Sequence, residues 1–272
     1  MDTTIIIAIM TMGGLGFVFA SGLAFADKKL RVEENPLIGK INDALPNANC
    51  GGCGCAGCFD FAVKLVEGNA KPNGCPVGGE ETTQSIAELL GVDKGSIIKN
   101  VPVVLCRGGN KEAVNKNTQY IGPTDCKTAI HVSGGDKLCL YGCLGGGDCV
   151  SVCQFKAMYM NENGLPEIIN EFCTGCGMCA KACLRNVIEM HPSNRNVFIF
   201  CKNEDDPKRS KEVCSVSCIG CGICAKKSDG GIEMVNNLAI INYDKLDLTK
   251  IAIDKCSTRA IEVINSKSIM VN

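Results

Sequence analysis

The chain has 272 residues and a formal net charge of −1. Its length admits one large or several small domains, and no global positive field marks it for nucleic acid. Large side chains are scarce (nine Phe, four Tyr, no Trp) while Cys stands at 21 and Gly at 31, so the core needs reinforcement from disulfides, zinc or iron–sulfur clusters.

Residues 3–26, TTIIIAIMTMGGLGFVFASGLAFA, carry no charge. As a helix they would span about 36 Å, against roughly 30 Å of bilayer hydrocarbon. Ala24-Phe25-Ala26 has the look of a signal-peptide cleavage site. The run, however, exceeds the ~7–15 residues of a signal core, and Asp2 stands where a basic residue would be expected. Lys28, Lys29 and Arg31 follow the run, and positive charge stays on the cytoplasmic side. Residues 1–27 are therefore expected to be an uncleaved single-pass anchor in the cytoplasmic membrane. Residues 28–45 are expected to be a linker, with every later domain in the cytoplasm. Gly13, Gly14 and Gly16 suit close approach of another membrane helix. A reducing compartment argues against a disulfide scaffold, and the odd cysteine count points the same way.

The next expected domain, 46–90, contains LPNANCGGCGCAGCFDFAVKLVEGNAKPNGCPVGG with Cys50, Cys53, Cys55, Cys58 and Cys75. Phe59, Ala62, Val63 and Val66 recur at helical spacing, and Gly68 reads as a helix stop. This stretch resembles the small four-cysteine iron–sulfur domain with spacing C-x2-C-x4-C-x16-C. The resemblance implies Cys50, Cys53, Cys58 and Cys75 as ligands of a 4Fe-4S cluster. It leaves Cys55, at a position that family does not use, as a free buried thiol. Residues 91–135 read as a connecting segment.

Residues 136–195 carry two cysteine runs. In FCTGCGMCAKACLRNVIEM, Cys173, Cys176, Cys179 and Cys183 follow C-x2-C-x2-C-x3-C. Zinc sites take two C-x2-C pairs separated by a dozen or more residues. Three thiols at steps of three on one glycine-bearing loop instead suit three irons of a cubane, with the fourth cysteine serving a second cluster. The partner run is Cys139, Cys143, Cys149 and Cys153, looser at C-x3-C-x5-C-x3-C, with glycines inserted at 145–147. The crossed expectation is Cys139, Cys143, Cys149 and Cys183 for one cluster, and Cys153, Cys173, Cys176 and Cys179 for the other. Cys153, Cys183 and Cys256 share a tail, Cys-x3-Ala/Val-Met/Ile. Gln154, Leu184 and Ser257 stand where ferredoxins usually have Pro, which restores a backbone donor near sulfur.

In the last expected domain, 196–272, Cys218, Cys221 and Cys224 repeat the triplet, but Ser228 replaces the crossing cysteine. A degenerate, one-cluster unit is expected, with Cys256 as fourth ligand. IEMVNNLAIINYD reads as two short strands around Asn236-Asn237. Cys106, Cys126, Cys201 and Cys214 follow no motif. By subtraction they make a fifth cluster; otherwise they are buried thiols and the clusters number four. The fold class expected is α+β: one transmembrane helix, the four-cysteine domain, then tandem ferredoxin-like βαβ domains.

The anchor, the LPNANCGGCGCAGC domain and the distal cysteine runs together resemble the B subunits of the Rnf complexes, across essentially the whole chain. VPVVLCRGG and GGDKLCLYGCLGGGDC resemble the clostridial-type form. The resemblance implies a membrane-anchored electron relay of a ferredoxin:NAD oxidoreductase that moves Na+ or H+. Its partners would be the other Rnf subunits (A, C, D, E and G), soluble ferredoxin and the membrane, and not nucleic acid. The nicotinamide site would lie on another chain. No strand-flanked G-x-G-x-x-G and no P-loop is present, and His131 and His191 lack a matched nucleophile, so no catalytic residue is expected. The alternative is a stand-alone membrane-tethered polyferredoxin serving another redox enzyme. A corrinoid-protein subunit would need a barrel of roughly 200 residues or more. Ferredoxins are typically acidic, so Lys208, Arg209 and Lys211, or Lys226 and Lys227, are docking candidates beside the alternative that they are solvated loop charges.

Overall fold

The computed structural model describes residues 3–30, 35–96, 98–116, 121–250 and 253–264. Asp2, Arg31 and residues 265–272, which entered the expectations above, lie outside the described residues.

Helix α1 (Thr3–Leu30) is apolar around its circumference and ends on Lys28 and Lys29. It runs three residues past the expected anchor boundary, and no part of its apolar window is buried against the rest of the chain. Phe17, Val18 and Phe19 are all more than 60% exposed. Such a helix has its apolar surface still to bury, and it is long and apolar enough to cross a membrane.

Three helices follow: α2 (Pro36–Ala44), α3 (Cys58–Val66) and α4 (Gly79–Leu90). The segment 28–45, expected as a linker, therefore contains a helix. Its start signals are local, since Asn35 accepts a hydrogen bond from the Leu37 N–H and Pro36 opens the first turn. Ile41 is fully buried against Phe61, Ala62, Leu65 and Ile86. The inward stripe of α3 also differs from the expected one. Cys58, Phe61, Ala62 and Leu65 fall at i, i+3, i+4 and i+7 and share a face, while Phe59 is 48% exposed. The cysteine itself heads the buried stripe. Gly68 follows the helix with φ +76°, a left-handed stop.

The remaining chain forms two units of like topology. The first comprises β1 (Asn100–Val104), α5 (Cys126–Val132), α6 (Asp148–Ser151), β2 (Met158–Met160), β3 (Pro166–Ile168), α7 (Met178–Ala182) and β4 (Ile188–Pro192). The second comprises β5 (Val197–Ile199), α8 (Pro207–Val213), α9 (Ile223–Lys227), β6 (Ile232–Val235), β7 (Leu238–Ile241) and β8 (Ile261–Val263). In each, the first and last strands pair antiparallel (β1 with β4, β5 with β8), and a hairpin lies between them (β2–β3, β6–β7). The expected strands around Asn236-Asn237 are β6 and β7. Both asparagines take positive φ, 47° and 62°, as a two-residue type I′ turn requires.

The first unit begins well before residue 136. The segment expected to connect domains supplies β1, whose Val101 and Val103 stand opposite His191 and Glu189 of β4. Without β1, β4 would present an unpaired edge. Val101, Val103 and Leu105 then pack on Phe198 and Phe200, joining the two units in one core. His191 belongs to this junction: it is 8% exposed, with its ring 5.0 Å from Phe198 and 5.8 Å from Tyr243.

Candidate iron–sulfur sites

All 21 cysteines are free thiols, and 20 of them gather in five groups. Four groups line cavities and the fifth lies at the far end of the second unit.

Site 1 is a cavity of about 320 Å3 walled by Cys50, Cys53, Cys58 and Cys75, the four implied by the domain resemblance. Loop 45–57 is held over it by Asn49, whose side-chain oxygen accepts from the Cys58 N–H at 2.9 Å. Cys55 is not on this wall; its Sγ lies 3.6 Å from Lys64 Nζ, which pairs with Asp60. Site 2, also about 320 Å3, is walled by Cys153, Cys173, Cys176 and Cys179. Cys173 and Cys176 come from the loop before α7, Cys179 from the first turn of α7, and Cys153 from just beyond the end of α6.

Site 3, about 370 Å3, is walled by Cys126, Cys143, Cys149 and Cys183. Site 4, about 360 Å3, is walled by Cys106, Cys139, Cys201 and Cys214. Cys153 and Cys183 thus cross between the two runs, each leaving its own run for the other's cavity. Cys126 and Cys139, however, exchange places relative to the sequence expectation. The cause is the glycine insertion. A Cβ on Gly146 would stand 2.5 Å from the Cys126 nitrogen, so this loop admits the start of α5 at backbone contact. Asp148 fixes it there, accepting from the Cys126 N–H at 2.8 Å. Cys126 fills the wall that Cys139 would have filled, and Cys139 turns to site 4. A run of C-x3-C-x5-C rather than C-x2-C-x2-C was the signal that the three cysteines need not share one cavity.

Site 4 draws on both units. Cys106 and Cys201 each stand two residues beyond the first strand of their unit, β1 and β5, and Cys214 caps α8. Site 5 consists of Cys218, Cys221, Cys224 and Cys256. The first three approach Cys256 across the end of α9, and Cys221 is exposed. Ser228, at the crossing position, is 1% exposed and turned to the backbone, accepting from the Ile232 N–H at 2.8 Å.

The donor sets fit iron–sulfur clusters. Among the described residues no three His, Cys, Asp or Glu side chains converge as closely as one metal ion needs; the cysteines stand apart around cavity walls. Burial pushes the thiols of Cys143, Cys149, Cys179 and Cys201 up to about 12 and that of Cys214 to about 11. Unmetallated, they are neutral thiols in apolar walls; as ligands they need a cation to hold them as thiolates. Backbone amides already aim at sulfur: the Ala157 N–H donates to Cys153 Sγ at 3.3 Å and the Asn203 N–H to Cys201 Sγ at 3.4 Å. At Cys256 burial is the largest influence and raises the thiol. The Ile261 N–H and Thr258 hydroxyl outweigh it, leaving the thiol below its ordinary range.

Neighbouring sites are linked. A Cβ on Gly52 of site 1 would meet the Cys176 carbonyl of site 2 at 2.8 Å, and Lys181 Nζ donates to the Gly51 carbonyl at 3.1 Å. Cys179 of site 2 lies within electrostatic reach of Cys149 of site 3. The Cys143 N–H of site 3 donates to Cys106 Sγ of site 4 at 3.3 Å. The Cys218 N–H of site 5 points to Cys201 of site 4. The five groups form a single file.

Comparison with known proteins supplies the family. Residues 45–77, which build site 1, match the FeS family model, described as an Fe-S cluster. The chain is 40% identical to the B subunit of the Na(+)-translocating ferredoxin:NAD(+) oxidoreductase complex of Acetobacterium woodii, over 96% of this chain and 78% of that one. It is 39% identical to the B subunit of the ion-translocating oxidoreductase complex of Methanosarcina acetivorans, over 97% of this chain and all of that one. It is also 39% identical to the B subunit of the proton-translocating ferredoxin:NAD(+) oxidoreductase complex of Clostridium ljungdahlii, over 97% and 94%. With such identity along nearly its full length, the chain belongs to the family of B subunits of the ion-translocating ferredoxin:NAD(+) oxidoreductase, or Rnf, complexes.

Proposed function

We propose that this chain is the membrane-anchored electron relay of an Rnf-type complex, carrying electrons through five 4Fe-4S clusters held at sites 1–5 in that spatial order. The observation that carries the reading is the single file just described, in which each cysteine group reaches the next through a backbone or sulfur contact or, between sites 2 and 3, through the electrostatic influence of Cys179 on Cys149. The clusters supply one-electron carriers with no bond made or broken. The chain supplies thiolate ligands, N–H donors to sulfur and apolar walls that exclude water, the quantities that set a cluster's potential. The two units of like topology are ferredoxin-like, and the second has lost the ligands of one cluster: Ser228 holds a turn where a crossing cysteine would stand. Helix α1 anchors the chain, with Lys28 and Lys29 on the cytoplasmic side. The donor is soluble ferredoxin, and the remaining Rnf subunits (A, C, D, E and G) complete the nicotinamide and ion-moving parts. Relatives of nearly equal identity are named for Na+ and for protons, and nothing in the cysteine sites chooses between them.

Iron and acid-labile sulfide assay of the anaerobically purified chain tests the reading. About 20 of each per chain are expected for five cubanes; a value near 16 removes one site, and zinc in place of iron overturns the reading. In membranes containing the whole complex, Cys201→Ser should abolish ferredoxin-dependent NAD+ reduction, because it removes site 4 from the middle of the file.

A further inference from the structure

Lys137 is 6% exposed, an uncommon burial for a lysine without a partner charge. Its ammonium donates to the Gly108 carbonyl at 2.8 Å and, among the described residues, forms no ion pair. The other ammonium on the same cavity wall, Lys202, is paired with Glu189. The backbone at Lys137 is fixed on both sides, by its bridge to Asn115 and by the Leu138 N–H donating to the Val114 carbonyl at 2.8 Å. The residue it grips presses on a site 4 cysteine, since a Cβ on Gly108 would stand 3.0 Å from Cys214 Sγ. Lys137 lines the site 4 cavity itself and also pulls down the thiol of Cys143, in site 3. A buried ammonium is therefore held in place at the junction of two cysteine sites, where the thiolates of a bound cluster would be its compensating charge.

We propose that Lys137 sets the reduction potential of the site 4 cluster, raising it so that the junction between the two units acts as an electron sink in the file. The inference rests on the relay reading above. One electron arrives from a neighbouring cluster and one leaves to the next, while Lys137 makes and breaks no bond. Reduction adds one negative charge to a group already negative, and a fixed cation in a poorly polarisable wall favours the more negative state.

The test is an EPR-monitored redox titration of the full-length chain, with the site 4 signal identified as the one lost in Cys106→Ser. Lys137→Gln keeps a donor for the Gly108 carbonyl and removes the charge; Lys137→Arg keeps the charge. The Gln variant should lower the site 4 midpoint by at least 59 mV, a tenfold change in a one-electron equilibrium, with the site 1 signal unmoved. The Arg variant should stay closer to the parent. Loss of the cluster in the Gln variant but not in the Arg variant also supports a requirement for charge. An unchanged midpoint in Lys137→Gln with full iron content overturns the proposal. So does an equal shift, or equal loss of the cluster, in both variants, which makes Lys137 a folding residue. If instead Cys106→Ser costs neither iron nor a signal, the relay reading of site 4 fails, whatever Lys137 does.

Discussion

At the scale of single residues, spacing is informative where all ligands sit on one short loop. Cys173, Cys176 and Cys179 wall one cavity together because a glycine-bearing loop running straight into the first turn of α7 has few ways to turn its thiols inward. Cys126 and Cys139 are beyond the reach of spacing, because their destinations depend on the close approach at Gly146 between segments far apart in sequence. Serine variants separate the two assignments. Cys126→Ser should extinguish the same spectroscopic signal as Cys183→Ser, and Cys139→Ser the same signal as Cys106→Ser; if Cys139→Ser and Cys183→Ser instead remove a common cluster, the contiguous run is the true ligand set. Ser228 gives the converse case. Its hydroxyl satisfies the buried Ile232 N–H and donates to the Ala225 carbonyl at 3.1 Å. Ser228→Ala should leave iron content unchanged and lower unfolding stability by about 1–3 kcal/mol, the cost of an orphaned buried donor. Loss of iron in that variant would make the hydroxyl a ligand after all.

The elements themselves divide by how local their causes are. Helix α3 and the β6–β7 hairpin are legible because a helical stripe, a glycine stop and an Asn-Asn turn are each written within a dozen residues. Helix α2 reads as linker because a nine-residue helix shows little periodicity, and its stability comes from burying Ile41 under α3 and α4. Ile41→Ala should therefore destabilise the small helical domain by about 2–5 kcal/mol, read from denaturant unfolding followed by circular dichroism; an effect below 1 kcal/mol would mean that α2 docks only loosely. Strand β1 is hidden for a different reason, since its partner β4 lies nearly ninety residues on and pairing is not written in either strand alone. Two glycine substitutions contrast local with tertiary demands. In α2, a Cβ on Gly39 meets nothing within 4 Å, so Gly39→Ala should stabilise by about 0.5–1 kcal/mol. Gly146→Ala should push α5 off its site and cost the site 3 cluster, seen as a loss of about four irons per chain. Full iron content in Gly146→Ala would show that the loop relaxes around the methyl.

For the whole molecule, the apolar α1 and the single file of sites define two ends. Because α1 buries nothing against the rest of the chain, the intact protein should fractionate with membranes and resist extraction by high salt. Deleting residues 1–30 should release a brown domain with its iron undiminished. At the opposite end of the file, site 5 is the group with an exposed cysteine, Cys221, and the helix it precedes, α9, carries Lys226 and Lys227 in its last turn, both exposed. Helix α8, with Lys208, Arg209 and Lys211, runs directly into Cys214 of site 4, but Arg209 is engaged by Glu212 at 3.6 Å. An electron donor must approach a cluster edge closely, so the exposed end with two solvated ammonium groups nearby is the expected entry for an acidic ferredoxin, despite the chain's overall charge of −1. Exposed charges act over about 8 Å at physiological ionic strength, which makes salt the discriminating variable. Converting Lys226 and Lys227 to Glu should slow reduction of the complex by reduced ferredoxin several-fold at low salt. That difference should shrink as salt is added, while iron content stays at the parent value. The same double change at Lys208 and Arg209 should have the smaller effect. Equal rates for the Lys226/Lys227 variant and the parent across the salt range would move the entry point away from site 5.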